Sequence, residues 1–279
     1  MSGTFPCFRL LSVQPVLLLG LSLLLSGCSE YNKALKSSDL DFKLRTAEKY
    51  YAKEQWEKAI PLYEELVALT RGTSLSEGIQ FHHAKSYYGM KDYTLAGYYL
   101  GHFVRTFPTS EHAEECGFLE AYCHYKNSPQ YELDQTDTRA AIDALQLFLI
   151  RYPNSSLRDS CNALVDQLRD KLELKQFTGA RQYHKLRNYQ AAVNSLEEFL
   201  KDWPNTRFRE ETLYLIMESG FLLADNSIIS KRDERRERAI RSYHNFVLAY
   251  PESLRIAQAH RMAQERDIQR FSPERTSTP

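Results

Sequence analysis

A helix-ending motif, in which an aromatic residue and a proline follow a phenylalanine, occurs four times in the chain. The copies are FVRTFPTS from Phe103, FLIRYPNS from Phe148, FLKDWPNT from Phe199 and FVLAYPES from Phe246. An alanine stands twelve positions before each proline, at Ala96, Ala141, Ala192 and Ala239. The same interval measured from Ala59 ends at Arg71 instead of a proline. A constant interval of this kind indicates a chain built from five related units.

Large apolar residues recur four and seven positions after each alanine. At four they are Tyr63, Leu100, Leu145, Leu196 and Tyr243, and at seven they are Leu66, Phe103, Phe148, Phe199 and Phe246. Such spacing places both residues on one face of a helix. The proline then ends the helix, because it has no N–H and disfavours helical geometry in the residue before it. A Ser or Thr follows within two residues and can cap the next helix.

We call the alanine that begins each twelve-residue interval the marker. A partner helix precedes the marker in three of the units. Ala47, Ala84 and Ala180 lie twelve positions before their markers, and each is followed three residues later by Tyr50, Tyr87 or Tyr183. A small residue lets two antiparallel helices approach closely, and we expect the tyrosine to fill the space beside it. The pattern resembles the tetratricopeptide repeat, a helix-turn-helix unit of about 34 residues. The expected fold is an all-α, tetratricopeptide-like helical solenoid of five helix-turn-helix units.

Three segments do not fit the repeat. Residues 127–137 are predicted to be an insertion between the two helices of unit three, and residues 224–238 an insertion in unit five. Residues 156–187 contain no proline and are predicted to form a linking helix, either one long helix or two joined ones. The segment SLRIAQAHRMAQERDIQRF after Pro251 is expected to form a capping helix, which covers the last apolar face of a solenoid.

The N-terminus has the layout of a bacterial lipoprotein signal. Residues 1–27 carry an early cation, Arg9, and the apolar run VLLLGLSLLL, which is shorter than the about 20 residues of a spanning helix. The sequence Leu25-Ser26-Gly27-Cys28 resembles a lipobox. This resemblance implies cleavage before Cys28 and a covalent lipid there, as N-acyl and S-diacylglycerol groups. An ordinary signal peptide with a cysteine at its cleavage site is the alternative.

The repeats and the signal together predict the domain organisation. We expect a linker at 28–39, units one to three at 40–155, the linking helix with units four, five and the cap at 156–271, and a flexible tail at 272–279. The chain has 36 basic and 36 acidic residues, so no overall field favours nucleic acid.

Motifs of catalysis or metal binding are not apparent. His112, Cys116, Cys123 and His124 occupy neighbouring helical turns, but adjacent residues such as Cys123 and His124 point about 100° apart on a helix. The sequence has no C-x-x-C, H-E-x-x-H, G-x-S-x-G or phosphate-binding glycine loop. We therefore predict no catalytic residue, no metal and no cofactor apart from the lipid. Cys116, Cys123 and Cys161 are predicted to be small buried residues, and His82-His83 to be packing or surface.

The tetratricopeptide resemblance also implies a concave groove built by the first helix of each unit. Its positions in units one and two are Leu44, Glu48, Tyr51, Phe81, Lys85 and Tyr88. These rings and the two opposite charges are suited to a peptide. Alternatively, Tyr51 and Tyr88 only pack between units. The run KRDERRERAIR from Lys231 is interpreted as a solvated loop and helix start, with docking to an acidic partner as the alternative.

Taken together, these features closely resemble the BamD family of outer-membrane lipoproteins, in a Bacteroidetes-like form. The lipobox, the five units, the linking helix and the insertion SPQYELDQTDT carry the resemblance, as does the mature start CSEYNKALKSSDLDFKLRTAEKYY. It implies a non-catalytic scaffold of the β-barrel assembly machinery, anchored in the outer membrane and facing the periplasm. Ser29, in place of an aspartate after the cysteine, favours the outer membrane.

The resemblance further implies partners for each half. Residues 156–271 would dock on the POTRA domains of a BamA-like barrel protein, and residues 40–155 would meet the C-terminal strand of unfolded outer-membrane proteins. Other lipoproteins of the complex are possible partners. We hypothesise that Lys85 binds the terminal carboxylate of such a strand. The alternative is a scaffold of the Tol-Pal envelope-constriction system, whose repeat protein normally lacks a lipobox and carries an N-terminal coiled coil.

Overall fold

The fold is known from a computed structural model, which describes the backbone of residues 30–271 and the side chains of residues 30–266. The predicted signal peptide, Cys28 and the 272–279 tail lie outside the described residues. Within residues 30–271 all regular structure is helical, which confirms the all-α prediction. None of the helices in that range is both long and apolar enough to cross a membrane.

Twelve helices occur in the described part of the chain. They are α1 (residues 30–36), α2 (Leu40–Ala52), α3 (Trp56–Leu69), α4 (Ser76–Gly89), α5 (Tyr93–Thr106), α6 (Ala113–Asn127), α7 (Thr136–Arg151), α8 (Arg158–Lys185), α9 (Tyr189–Asp202), α10 (Arg209–Asp225), α11 (Ile229–Ala249) and α12 (Ile256–Phe271). Neighbours in sequence pack together from α2 to α7 and again from α9 to α12. This consecutive packing confirms the predicted tetratricopeptide-like solenoid.

The helices form two compact bodies. The N-terminal body contains residues 30–128 and 136–165, and the C-terminal body contains residues 129–135 and 166–271. The division falls inside α8, later in the chain than the functional boundary we predicted at 155/156. Two apolar clusters form the core of the N-terminal body, and one cluster contributed by α8 to α12 forms that of the C-terminal body.

The residues of the twelve-residue interval form the centre of these cores. All five residues seven positions after the marker are at most 3% exposed, as are four of the five at four positions. Tyr243 is the exception and is half-buried. The helix pattern therefore predicted the core correctly, because a spacing of four and three keeps side chains on one face.

Each proline ending forms the same hydrogen-bonded turn. The aromatic residue before the proline donates its N–H to the carbonyl oxygen of the phenylalanine four residues earlier, at 2.8–2.9 Å. The second residue after each proline is a Ser or Thr, namely Ser110, Ser155, Thr206 and Ser253. Its hydroxyl oxygen accepts the backbone N–H of the residue two positions after itself, at 3.0–3.1 Å. The hydroxyl therefore stabilises the turn before the next helix, and not its N-cap as predicted.

The three predicted interruptions of the repeat take different forms in the structure. The chain between α6 and α7 is a loop at residues 128–135, and the linking segment is one helix, α8, of 28 residues. The insertion predicted at 224–238 lengthens two helices, because α10 has 17 and α11 has 21 residues whereas α5 and α9 have 14 each. The solvated loop expected in the run from Lys231 is wrong. Only residues 226–228 leave the helix there, and the run from Lys231 lies inside α11. Its Lys, Arg and Glu residues are good helix formers, and no proline interrupts them.

Tyr183 also differs from expectation, because it is 42% exposed whereas Tyr50 and Tyr87 are buried. The helix α8 turns a different stripe of residues towards its neighbours. Phe177 stacks on Phe208 with ring centroids 4.3 Å apart, and His184 Nδ1 lies 2.9 Å from Ser219 Oγ on α10. Tyr183 is next to His184 in sequence but lies outside this row of packed residues. It therefore does not fill the space between helices.

Candidate functional site

The six predicted groove residues lie on two first helices of the N-terminal body. Helix α2 carries Leu44, Glu48 and Tyr51, and α4 carries Phe81, Lys85 and Tyr88. Glu48 is exposed, Phe81 is 9% exposed, and the other four are half-buried. The residues therefore pack between units and also remain partly accessible at the surface. Neither of the two predicted alternatives, a free groove or packing alone, describes them fully.

Tyr51 joins units one and two. Its ring meets the Trp56 ring edge-on at 5.3 Å and lies 4.6 Å from the His82 ring of α4. Burial, together with the nearby charge of Glu115, raises the pKa of the Tyr51 hydroxyl. The hydroxyl therefore stays protonated at neutral pH and can donate a hydrogen bond from the half-buried ring.

Two histidines extend the aromatic surface towards unit three. The His112 ring stacks on the Phe81 ring with centroids 4.0 Å apart and planes at 11°, and the His82 ring is tilted against Phe81 with centroids 5.5 Å apart. Burial, and the proximity of His112, lower the pKa of His82. His82 was interpreted as packing or surface, and its half-buried ring does both, whereas His112 was considered only as a metal ligand. The insertion at 128–135 breaks the twelve-residue interval in unit three, so the interval does not locate the groove positions of α6.

Lys85 is surrounded by one carboxylate and two rings. Its Nζ lies 2.5 Å from Glu115 Oε1 on α6, and 5.8 and 5.9 Å from the ring centroids of Phe81 and Tyr88. A cation so close to aromatic faces gains from the ring quadrupole as well as from the ion pair. The charge of Lys85 is therefore already balanced, a feature that the sequence does not reveal.

These residues form what we call the aromatic band, which is defined as Tyr51, Phe81, His82, Lys85, Tyr88 and His112. It offers half-exposed ring faces and one ion pair, and so is suited to stacking and to hydrogen bonding rather than to bond cleavage. Cys116 and Cys123 lie behind it and are buried; burial raises the pKa of each thiol to about 12. Within the described residues, no three His, Cys, Asp or Glu side chains are grouped to hold a metal.

The comparisons with known proteins agree with this architecture. The model of the YfiO family, described as an outer membrane lipoprotein, matches residues 42–227. The outer membrane protein assembly factor BamD of Neisseria gonorrhoeae is 26% identical, over 72% of this chain and 81% of its own length. The Vibrio cholerae factor is 24% identical over 72% and 88%, and the Rickettsia prowazekii factor 23% over 61% and 68%.

The matched residues run from the start of α2 to the end of α10, so the family model covers helices of both compact bodies. The aromatic band also lies inside this range. We conclude that the chain belongs to the YfiO/BamD family of outer membrane lipoproteins.

Proposed function

We propose that the protein is a non-catalytic scaffold of the outer-membrane β-barrel assembly machinery. Membership of an outer membrane lipoprotein family supports this proposal, as do relatives named as outer membrane protein assembly factors. The lipobox-like sequence before Cys28 supports a lipid anchor, with N-acyl and S-diacylglycerol groups on that cysteine. In this proposal the helices face the periplasm. Several acyl chains would hold the protein at the membrane, since each buried methylene contributes about 0.8 kcal/mol.

The proposed tasks are divided between the two halves of the chain. Residues 156–271 dock on the POTRA domains of a BamA-like barrel protein, and residues 40–155 receive unfolded outer-membrane proteins. Other lipoproteins of the machinery are further candidate partners. The observation that carries the substrate role is the aromatic band, because all of its rings except that of Phe81 remain half-exposed although they pack between units.

The band is suited to an extended peptide that ends in an aromatic residue. Tyr51 and Tyr88 present rigid rings, which bind with little loss of side-chain entropy. The terminal carboxylate of the peptide would bind Lys85 in place of Glu115. That exchange replaces one charge-assisted hydrogen bond by another, so the rings provide the net gain and the lysine fixes the orientation.

Crosslinking to a substrate peptide tests the band. We expect the double variant Lys85→Glu, Tyr88→Ala to lose about tenfold or more of its crosslinking to a peptide with the C-terminal sequence of an outer-membrane protein, since a hot-spot pair contributes at least about 1.4 kcal/mol. Glu115→Gln should raise crosslinking, because it frees Lys85. Lys201→Glu, at an exposed position on α9, is the charge-matched control and should behave as wild type. Unchanged crosslinking of the double variant would contradict the substrate role.

A pull-down tests the scaffold role separately. The lipidated full chain, crosslinked in the cell through introduced residues in α10 to α12, should recover a BamA-like barrel protein. Removal of Cys28 should reduce the yield, because the protein is then no longer concentrated at the membrane. Recovery of Tol-Pal components without the barrel protein would contradict the proposal and support the envelope-constriction alternative.

A further inference from the structure

A cavity of about 270 Å³ in the C-terminal body lies between the end of α10, the start of α11 and α12. It is lined by Asp225, Arg232, Arg236, Glu265 and Arg266. Three guanidinium groups and two carboxylates therefore border one small space. The aromatic band is in the other body, so this cavity has no part in the substrate role proposed above.

The charges in the cavity are paired unequally. Arg266 donates from Nε and Nη2 to Asp225 Oδ2, at 3.1 and 2.7 Å, and its guanidinium lies 5.2 Å from the Phe221 ring centroid. Its Nη1 also lies 3.8 Å from Glu265 Oε2. Both carboxylates of the cavity are thus engaged with Arg266, and one cation is balanced.

The other two arginines are not balanced by any described residue. Arg232 donates from Nη2 to the Ser227 carbonyl oxygen at 3.3 Å, and its Nε is buried without a hydrogen-bond partner. Arg236 is only 8% exposed, and its Nε is likewise buried without a partner. Among residues 30–266 no carboxylate pairs with Arg236. An uncompensated buried charge costs several kcal/mol, which an anion in the cavity would remove.

We propose that this cavity is a phosphate-binding site in which Arg232 and Arg236 hold the anion. The two residues are four apart on α11 and so lie on the same face. A planar guanidinium group can bind two phosphate oxygens at once. A phosphate group, which has several charged oxygens, therefore suits two arginines better than a single carboxylate would. The phosphate group can come from free phosphate or from a phospholipid headgroup, which share this chemistry.

A neighbouring side of α11 provides a comparison within the same helix. A second cavity of about 230 Å³ is lined there by Arg235 and Arg238, among other residues. Arg235 donates to Ser227 Oγ and to Gln190 Oε1, and Arg238 donates to Glu197 Oε2. These arginines already have partners, so the case for an anion applies to the Arg232 and Arg236 face.

Calorimetric titration and thermal unfolding of the full chain in detergent test the proposal. With inorganic phosphate, at an ionic strength matched by chloride, we expect saturable binding and a Tm that rises with phosphate. Arg236→Met should weaken binding about tenfold or more and lose that rise, while its Tm without phosphate should exceed the wild-type value because a buried unpaired charge is gone. Arg261→Met, at an exposed position of α12, is the control and should behave as wild type.

A parallel titration with glycerophosphoglycerol, the deacylated headgroup of phosphatidylglycerol, identifies the source. Tighter Arg236-dependent binding of this compound indicates a lipid headgroup, and tighter binding of inorganic phosphate indicates the free anion. The proposal is overturned if neither compound binds, if Arg236→Met binds both as wild type does, or if acetate binds as tightly as phosphate. A rise in Tm that is equal in wild type and Arg236→Met would also overturn it, since it would reflect general salt exclusion.

Discussion

His83, on α4, is a buried titratable residue that lies outside the aromatic band. It is 4% exposed, its ring lies 4.5 Å from the Tyr99 ring and 5.2 Å from the Tyr87 ring, and its Nε2 has no hydrogen-bond partner. Burial lowers the pKa of His83 to about 4, although the charge of Glu64 acts in the opposite direction. The side chain is therefore neutral in the folded protein at pH 7.

We expect the stability of the N-terminal body to fall between pH 6.5 and pH 4.5. In this range the unfolded His83 takes up a proton and the folded one does not, so acid favours unfolding. The loss attributable to this residue is about 2–3 kcal/mol at pH 4.5, at about 1.4 kcal/mol for each pH unit. Urea unfolding at several pH values measures it.

The variant His83→Phe is the control for this prediction. It keeps an aromatic ring beside Tyr99 and removes the titration, so its stability should depend less steeply on pH than that of wild type. The carboxylates titrate alike in both proteins, and the difference between the two slopes isolates His83. Equal slopes would show that the histidine does not stay neutral when buried.

Sequence predicted some of these residue environments and missed others for a physical reason. Phe199 and its equivalents could be assigned to the core, because a periodic helix face needs no knowledge of the partner helix. The pairing of Lys85 with Glu115 could not be predicted, since the carboxylate comes from α6, where the insertion hides the register. His112 was considered as a metal ligand for its chemistry, although its place at the start of α6 stacks it on Phe81.

At the scale of helices, α10 and α11 pack closely against each other at a glycine. A Cβ atom added at Gly220 would lie 3.2 Å from Ala239 Cβ and 3.4 Å from Ala239 Cα. Ala239 is a marker residue of the repeat and is fully buried. Its Cα cannot rotate away as a long side chain can, so a larger residue would have to push the helices apart.

We expect Gly220→Ala to destabilise the C-terminal body by about 1–2 kcal/mol, because overpacking outweighs the gain in helix propensity. The matched control is Gly179→Ala in α8, where no atom lies within 4 Å of the added Cβ. That variant should stabilise by up to about 1 kcal/mol. Chemical denaturation of both variants measures the two effects. If both changes had the same sign, the close contact of α10 and α11 would not limit packing.

At the scale of helices, some sequence signals of helix ends and starts can be interpreted reliably and others cannot. Prolines follow the ends of four helices as expected, because a proline has no N–H to continue the helix. Pro61 is different, since it lies inside α3 and does not end it. The run from Lys231 was interpreted as a solvated loop and helix start because of its many charges, whereas α11 already begins at Ile229. Helix propensity is as high for Arg, Lys and Glu as for many apolar residues, and the partners of this segment are side chains such as Gln190 and Glu197 on α9.

In the whole molecule, one loop belongs to a different body from the helices beside it. Residues 129–135 group with the C-terminal body, whereas α6 and α7 lie in the other one. Lys175 of α8 fixes the loop, because its Nζ donates to the carbonyl oxygens of Tyr131, Glu132 and Leu133 at 3.1, 3.2 and 2.8 Å. Gln135 adds bonds from Nε2 to the Gln130 and Leu133 carbonyl oxygens.

We expect Lys175→Met to make this loop sensitive to proteolysis. Loss of the charge-assisted bonds removes about 1.5–3 kcal/mol, so the open form should be populated about tenfold more or beyond. Cleavage by chymotrypsin after Tyr131, followed by mass spectrometry, should accelerate by a similar factor. Lys185→Met, at an exposed position of the same helix, is the control and should leave the rate unchanged. Equal rates for both variants would mean that Lys175 does not hold the loop.

The same contact has a consequence for the order in which the chain acquires its structure. Leu133 and Lys175 are 42 residues apart, and the lysine comes later. When the chain emerges N-terminus first, the three carbonyl groups of the loop are present before Lys175. They cannot be bound until the lysine is part of the folded helix α8. The first helices can pack from local contacts alone, but the loop between α6 and α7 has to wait for α8. A chain truncated before residue 175 would therefore keep the bonds of Gln135 but lack the lysine that binds the three carbonyl groups.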